Sequence, residues 1–207
     1  IISIVDPLFT IPMAIAVILT HRKLKKKYIV AFGVYAFLYL SLGYLQNSRV
    51  TNAMNQLAKS RGHNIEHYEV KPTLGNNILW RTVYRSKNMI FVDAVRSNWL
   101  GDIKTYEGDN MKAKTFPVDF ENLSEGSQLK YDIKRFIFFS NNLVGIRNDF
   151  KDTLIDGRYS SDINGTSPMW GLQYNPEDEA SRGKFTNYNK LIKDRNFDNF
   201  IKMLKGE

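Results

Sequence analysis

The sequence predicts an α+β protein: two transmembrane helices followed by a soluble domain with a mainly antiparallel sheet and flanking helices. Three observations predict it. Two apolar runs enclose a short basic loop, alternating runs rich in Val, Ile, Phe and Tyr are joined by turn residues, and stretches of helical apolar spacing lie before, among and after those runs. The division places a membrane hairpin over residues 1–48 and a soluble α+β domain over residues 49–207.

Ile1–Thr20 is predominantly apolar, and Tyr28–Leu45 runs for 18 residues without a charge. About 20 largely apolar residues suffice for a helix to cross the hydrocarbon. Tyr28 and Tyr44 stand where the aromatic belt of a bilayer would take them. A cleaved signal peptide would carry its charges ahead of the apolar run rather than between two runs. The chain opens at Ile1 inside the first run, so its natural start is expected upstream.

The loop from His21 to Lys27 holds five cations, Arg22, Lys23, Lys25, Lys26 and Lys27. The positive-inside rule assigns such a loop to the cytoplasm, which leaves both far ends and residues 49–207 on the extracytoplasmic side. Asp6, near the outer end of the first run, has two readings. An acid within a membrane segment is costly unless it faces protein, water or a metal, so it is a candidate polar or metal-binding residue. It is also followed by Pro7, and an Asp ahead of a proline at a helix start is ordinary.

Residues 1–48 carry a net charge of +4, half of the chain's +8. The other half is spread over residues 49–207 with no concentrated stripe, which argues against a nucleic-acid partner and for the lipid bilayer as the partner of the basic loop. The chain has no cysteine, which excludes disulfides, thiolate metal sites and cysteine nucleophiles.

In the second half, Val50, Ala53, Met54, Leu57 and Ala58 form one helical stripe over Arg49–Arg61, continuing from the second span with a break expected near Gln46–Ser48. Strands are expected over Ile65–Lys71, Ile78–Arg85, Met89–Ser97 and Ile103–Glu107, the middle two joined by a hairpin turn at Ser86–Asn88. Leu129, Ile133, Phe136 and Ile137 return to helical spacing, with Ser127 placed to cap that helix. Further strands are expected over Leu143–Phe150, Thr153–Tyr159 and Met169–Tyr174, and Asn175–Gly183 reads as an exposed loop. The tail carries two apolar stripes out of phase, one through Tyr188, Leu191 and Ile192 and one through Phe197, Phe200, Ile201 and Leu204. They read as two short helices, with Asn196 capping the second.

The three histidines do not make a metal motif. His21 lies in the basic loop, and His63 and His67, though four apart, flank a turn rather than sharing a helix face. Neither a Gly-rich phosphate loop nor a nucleophile elbow is present. The densest polar and aromatic stretch runs from Glu69 to Tyr84. Lys71, Arg81 and Arg96 could line an anion-binding face for a small molecule or lipid phosphate, with Trp80 and Tyr84 as its apolar floor. The plainer reading is a half-buried hairpin with Trp80 in the core, and Asp93 paired across strands to Arg81 or Arg96.

This stretch, Lys71-Pro72-Thr73 through Leu79-Trp80-Arg81, is followed by Val92-Asp93-Ala94-Val95-Arg96 and Met169-Trp170-Gly171-Leu172, and preceded by Asp6-Pro7-Leu8-Phe9-Thr10. In that order and spacing the chain resembles the YdjM-like family of predicted membrane-bound metal-dependent hydrolases, from Asp6 to about Tyr174. The resemblance implies an integral protein of the bacterial cytoplasmic membrane and a divalent metal ion held mainly by residues upstream of this sequence. The family's His-Arg and Thr-His stretch is absent here, since no Thr-His follows His21-Arg22 at the proper spacing. Only Asp6 carries over, as a possible metal ligand in a partial site. The chain by itself is expected to lack a complete active site. The alternative is a non-catalytic, membrane-anchored domain that binds a lipid headgroup, an envelope polymer or a partner protein. A transporter component has only Asp6 in its favour, because two spans alone form no pathway.

Overall fold

The computed structural model describes residues 2–3, 6–23, 25–188 and 197–207. It is an α+β fold, with four α-helices and a curled antiparallel sheet among the described residues.

Helix α1 spans Pro7–Lys23 and α2 spans Lys27–Ser60. Asp6 starts α1: its carbonyl accepts from the amides of Phe9 and Thr10, and its Oδ1 accepts from Phe9 N at 3.3 Å. Pro12, inside α1, has no N–H to give to the carbonyl of Leu8, four residues earlier. The Tyr35 hydroxyl of α2 donates to that carbonyl instead, at 2.5 Å. Tyr35→Phe should therefore orphan an acceptor and destabilise the hairpin by about 1–3 kcal/mol. Thermal unfolding of the detergent-solubilised protein would read that loss, and an unchanged midpoint would show that the carbonyl finds another donor.

The two expected spans do not come out alike. Only α2 is long and apolar enough to cross a membrane among the described residues, and just 11 % of its most apolar stretch is buried. Beginning as it does at Asp6-Pro7 rather than at Ile1, α1 has 17 residues, a length of about 26 Å at 1.5 Å per residue. The break expected near Gln46–Ser48 is absent as well: α2 runs through it without interruption, because no Pro or Gly interrupts the ladder there and hydrogen bonds to the sheet begin at Gln46.

Among the described residues the strands are β1 His67–Pro72, β2 Leu79–Ser86, β3 Met89–Ser97, β4 Ile103–Tyr106, β5 Asn110–Ala113, β6 Val144–Arg147, β7 Phe150–Asp156, β8 Trp170–Gln173 and β9 Lys184–Asn187. They pair antiparallel in the order β1-β2-β3-β5-β6-β7-β8-β9, with β4 on the other part of β3. Residues expected as one strand over Leu143–Phe150 turn back after Arg147, so that Phe150 pairs with Arg147. The strands β5 and β9 were not expected. Each has four residues, too few for alternation to stand out from a loop. The first of the two tail helices, with Asn196, lies outside the described residues; the second is α4, Phe197–Lys205.

Side-chain alternation divides the core. On one face of the sheet, Trp80 and Val95 pack against Val50 and Ala53 of α2, and Tyr84 against Met54 and Ala58. The helix α3, Gln128–Phe139, covers the same parity of β6 to β8 through Ile133, Phe136, Val144, Leu154 and Leu172, and Ser127 Oγ caps it by accepting from Lys130 N. The opposite, inward parity holds Val83, Ile90, Val92, Met111, Leu143 and Ile155. The sheet curls around this second cluster far enough for Lys71 of β1 to reach Tyr159, just beyond β7. Met203 of α4 closes one end, against Leu79 and Ala94.

Candidate functional site

The cationic face suggested by the sequence is half present. Lys71 lies opposite Arg81, and Arg96 opposite Leu79, so the three cations share the inward face of the sheet. Trp80 and Tyr84 do not form their floor. They stand on the other face, fully buried beneath α2, because neighbouring residues on a strand point to opposite sides.

The cations are also engaged. Arg81 donates from Nη1 to the carbonyls of Asp162 at 3.0 Å and Ile163 at 2.6 Å, and from Nη2 to Gly157 at 2.8 Å. Burial pushes its guanidinium down to about 10, against the opposing pull of Asp156, Asp162 and Asp109, so it remains charged at neutral pH. Arg96 donates from Nε to the carbonyl of Leu204 at 2.8 Å, closing the C-terminal turn of α4. Lys71 pairs with Glu69 and donates to the Tyr159 hydroxyl at 2.7 Å. Three carbonyls, a helix end and an ion pair are what these cations hold.

Asp93 pairs with neither Arg81 nor Arg96. It faces α2, and its partner is Arg61 at the end of that helix, through two bonds of 2.8 and 2.9 Å. Gly108 N adds a third bond to Oδ1, at 3.0 Å. The segment between β4 and β5 can approach this closely only because Gly108 lacks a Cβ, which would collide with the carbonyls of Asn164 and Val92. Arg61 also donates to the Tyr84 hydroxyl at 3.0 Å and to Glu107 at 2.9 Å. The Tyr84 hydroxyl bonds His63 Nδ1 at 2.9 Å, and the imidazole lies tilted against Phe91 with centroids 4.2 Å apart. Asp93 above all holds the Arg61 guanidinium above its ordinary value, while burial pushes the Tyr84 hydroxyl up. These groups satisfy one another and lock α2 to the sheet.

The second polar constellation lies at the opposite end of the same contact, where α2 leaves its apolar stretch. Asp6 is buried there, and its Oδ2 accepts from the Tyr39 hydroxyl at 2.8 Å. Gln46, also buried, donates to the carbonyls of Asn77 at 3.3 Å and Ser97 at 2.8 Å, and accepts from Ser97 Oγ at 3.0 Å. Arg49 donates to the carbonyls of Asn98, Trp99 and Gly101 at 2.6, 3.1 and 2.6 Å. The sequence placed Gln46 at an expected helix break and Arg49 at the start of the amphipathic helix, and offered neither as a site residue. Their signal was position: both are polar side chains within four residues of Leu45, where the apolar run ends.

Among the described residues, two open depressions on the surface stand out. One, of about 500 Å³, is lined by Asp109, Asn110, Lys112, Arg147, Asp149 and Thr166, and its Arg147 is already held by Asp149 and Thr166. The other, of about 400 Å³, runs along α2 past Arg49, Asn52 and Gln56 to Ile103 and Thr105. Among the described residues no group of three or more His, Cys, Asp or Glu comes together as a metal site. No protein-family model, no characterised protein and no solved structure matches the chain.

Proposed function

We propose that this chain is a membrane-anchored binding module: a hairpin of two spans, α1 and the first half of α2, carrying an extracytoplasmic α+β domain rigidly joined to its anchor. The observation that carries the anchor is the double character of α2. Its first half exposes Val30, Val34, Phe37, Leu38 and Tyr44, while its second half buries Val50, Met54 and Ala58 against the sheet. Water would penalise the first half by about 1.5–3 kcal/mol for each large apolar side chain left exposed, and a bilayer removes that cost. At 17 residues α1 stands at the lower limit for a span, and Arg22 and Lys23 in its last turn can extend to the headgroups.

Membrane fractionation with an alkaline carbonate wash tests the anchor; release of the chain into the wash would refute it. The side is tested by a membrane-impermeant maleimide, since the chain has no cysteine of its own. In intact cells a thiol placed by Phe138→Cys is expected to react and one placed by Lys25→Cys to stay protected. The reverse pattern would overturn the orientation.

A metal-dependent hydrolase, the activity implied by the resemblance, is the alternative reading, and Asp6 is where it can be tested. Its two oxygens accept from Tyr39 and Phe9, the bonding of a helix cap. Under the binding-module reading, Asp6→Ala costs about 0.5–2 kcal/mol of stability, a capping loss, and leaves the metal content of the purified protein unchanged. Stoichiometric metal in the wild type, lowered by Asp6→Ala, would favour the hydrolase.

A further inference from the structure

We propose that the domain does not hang free from its anchor but sits on the bilayer, inserting the tips of two loops, Leu74 and Trp99-Leu100, into the interfacial layer. The inference rests on the anchor reading above and adds a second membrane contact to it. Leu74, Trp99 and Leu100 are 69 %, 48 % and 103 % exposed, two large aliphatic groups and a half-covered indole. Their height is set by α2. Arg49 holds the carbonyl of Trp99 itself and that of Gly101, and Gln46 holds Asn77 at the base of the other loop. Arg49 is four residues past Leu45, the last apolar residue of the run, or about 6 Å along the helix axis. The headgroup region on each side of the hydrocarbon is about 5–7 Å deep. Loops clamped one turn beyond the end of a span therefore lie within it.

Independent contacts agree with this placement. The Leu74 loop touches the start of α1, where a Cβ on Gly75 would meet Pro7 Cδ at 3.7 Å, so it lies against the outer end of the hairpin. Trp at a membrane–water boundary is a favoured placement, with its ring among the acyl ends and its N–H in the wet layer. The one acid of the second loop, Asp102, is exposed but shares that loop with the Arg49 guanidinium. No net charge opposes the approach. The opposite end of the domain serves as a reference: Phe138 is 83 % exposed near Asn141, which bonds His67 Nε2, and His67 pairs with Arg85 beside the far hairpin turn.

The test places single thiols in a cysteine-free chain by Leu74→Cys, Leu100→Cys, Leu38→Cys and Phe138→Cys, each labelled with an environment-sensitive fluorophore. The full chain is reconstituted in phosphatidylcholine–phosphatidylglycerol vesicles containing lipids with nitroxides at shallow or deep acyl positions. All four side chains are exposed, so the substitutions remove no core packing. The expected result is loss of emission at positions 74 and 100 with shallow nitroxides, loss at position 38 with deep ones, and none at position 138. Quenching at 38 without quenching at 74 and 100 would overturn the seating and leave the anchor standing. Absence of quenching at 38 would overturn the anchor, and the seating with it. Equal quenching at 138 would show the domain lying on a different face, which also overturns the proposal.

Discussion

Replacing Arg81 with alanine should destabilise the protein by about 3–5 kcal/mol, since each bond from a charged donor is worth about 1.5–3 kcal/mol and the Gly157 carbonyl left behind is buried. The guanidinium reaches Gly157, Asp162 and Ile163 from β2 across the inside of the curled sheet, tying the segment after β7 to the first strands. Arg81→Lys should recover only part of the loss, because an ammonium is a point charge without the planar fork that spans separate acceptors. Arg96→Ala, which removes one bond to Leu204, should cost about 1–2 kcal/mol. Tryptophan fluorescence during denaturant unfolding of the solubilised chain gives all three values. If Arg81→Ala proved as stable as the wild type but lost affinity for an anion, the cationic-face reading would return in place of the structural one.

Breaking the Arg61–Asp93 pair should be as severe. Asp93 is 1 % exposed, and Arg61→Ala leaves its carboxylate with Gly108 N as its remaining charge-compensating contact. Removing one partner of a buried pair costs about 3–5 kcal/mol, most of it the penalty of the stranded charge. The double variant Arg61→Met, Asp93→Leu should recover much of that loss, because it removes both charges and keeps the volume. Glu107→Gln touches the same guanidinium from a side chain that is 73 % exposed, and should cost no more than about 1 kcal/mol. The double-mutant cycle separates the pair from its surroundings. Independent, additive losses would show that Arg61 and Asp93 act separately, and that the end of α2 is held by packing alone.

These two results bear on how α2 and the sheet are joined. The Arg61–Asp93 lock holds the far end of α2, and Gln46 with Arg49 holds the near end, about 20 Å apart by the helix rise between residues 46 and 60. A helix pinned at both ends of its sheet contact cannot swivel beneath it. The α+β domain and the second half of α2 are therefore joined as one body, which is what the proposed seating of the two loop tips requires.

What the sequence determined by itself is local and periodic. The unbroken apolar run of α2, the alternation of β2 and β3, the spacing of α3 with its Ser127 cap and, in the plainer of its two readings, Trp80 in the core were legible, because each is a pattern among neighbours along the chain. The start of α1 was legible in one of the two readings of Asp6-Pro7. What only the tertiary structure decided is which polar groups meet. Asp93 could have paired with any nearby arginine, and the choice of Arg61 follows from α2 lying on its face of the sheet, 32 residues away in sequence. The cations Lys71, Arg81 and Arg96 looked available because alternation shows which residues share a face, not what that face closes upon. The curl of the sheet brought carbonyls from beyond β7 to Arg81 and the end of α4 to Arg96. Strands of four residues such as β5 and β9 carry too little pattern to be read alone and form because a neighbour's edge is there to pair with. Long-range pairing is settled by desolvation and hydrogen-bond satisfaction in the assembled core, and those have no signature at short range along the chain.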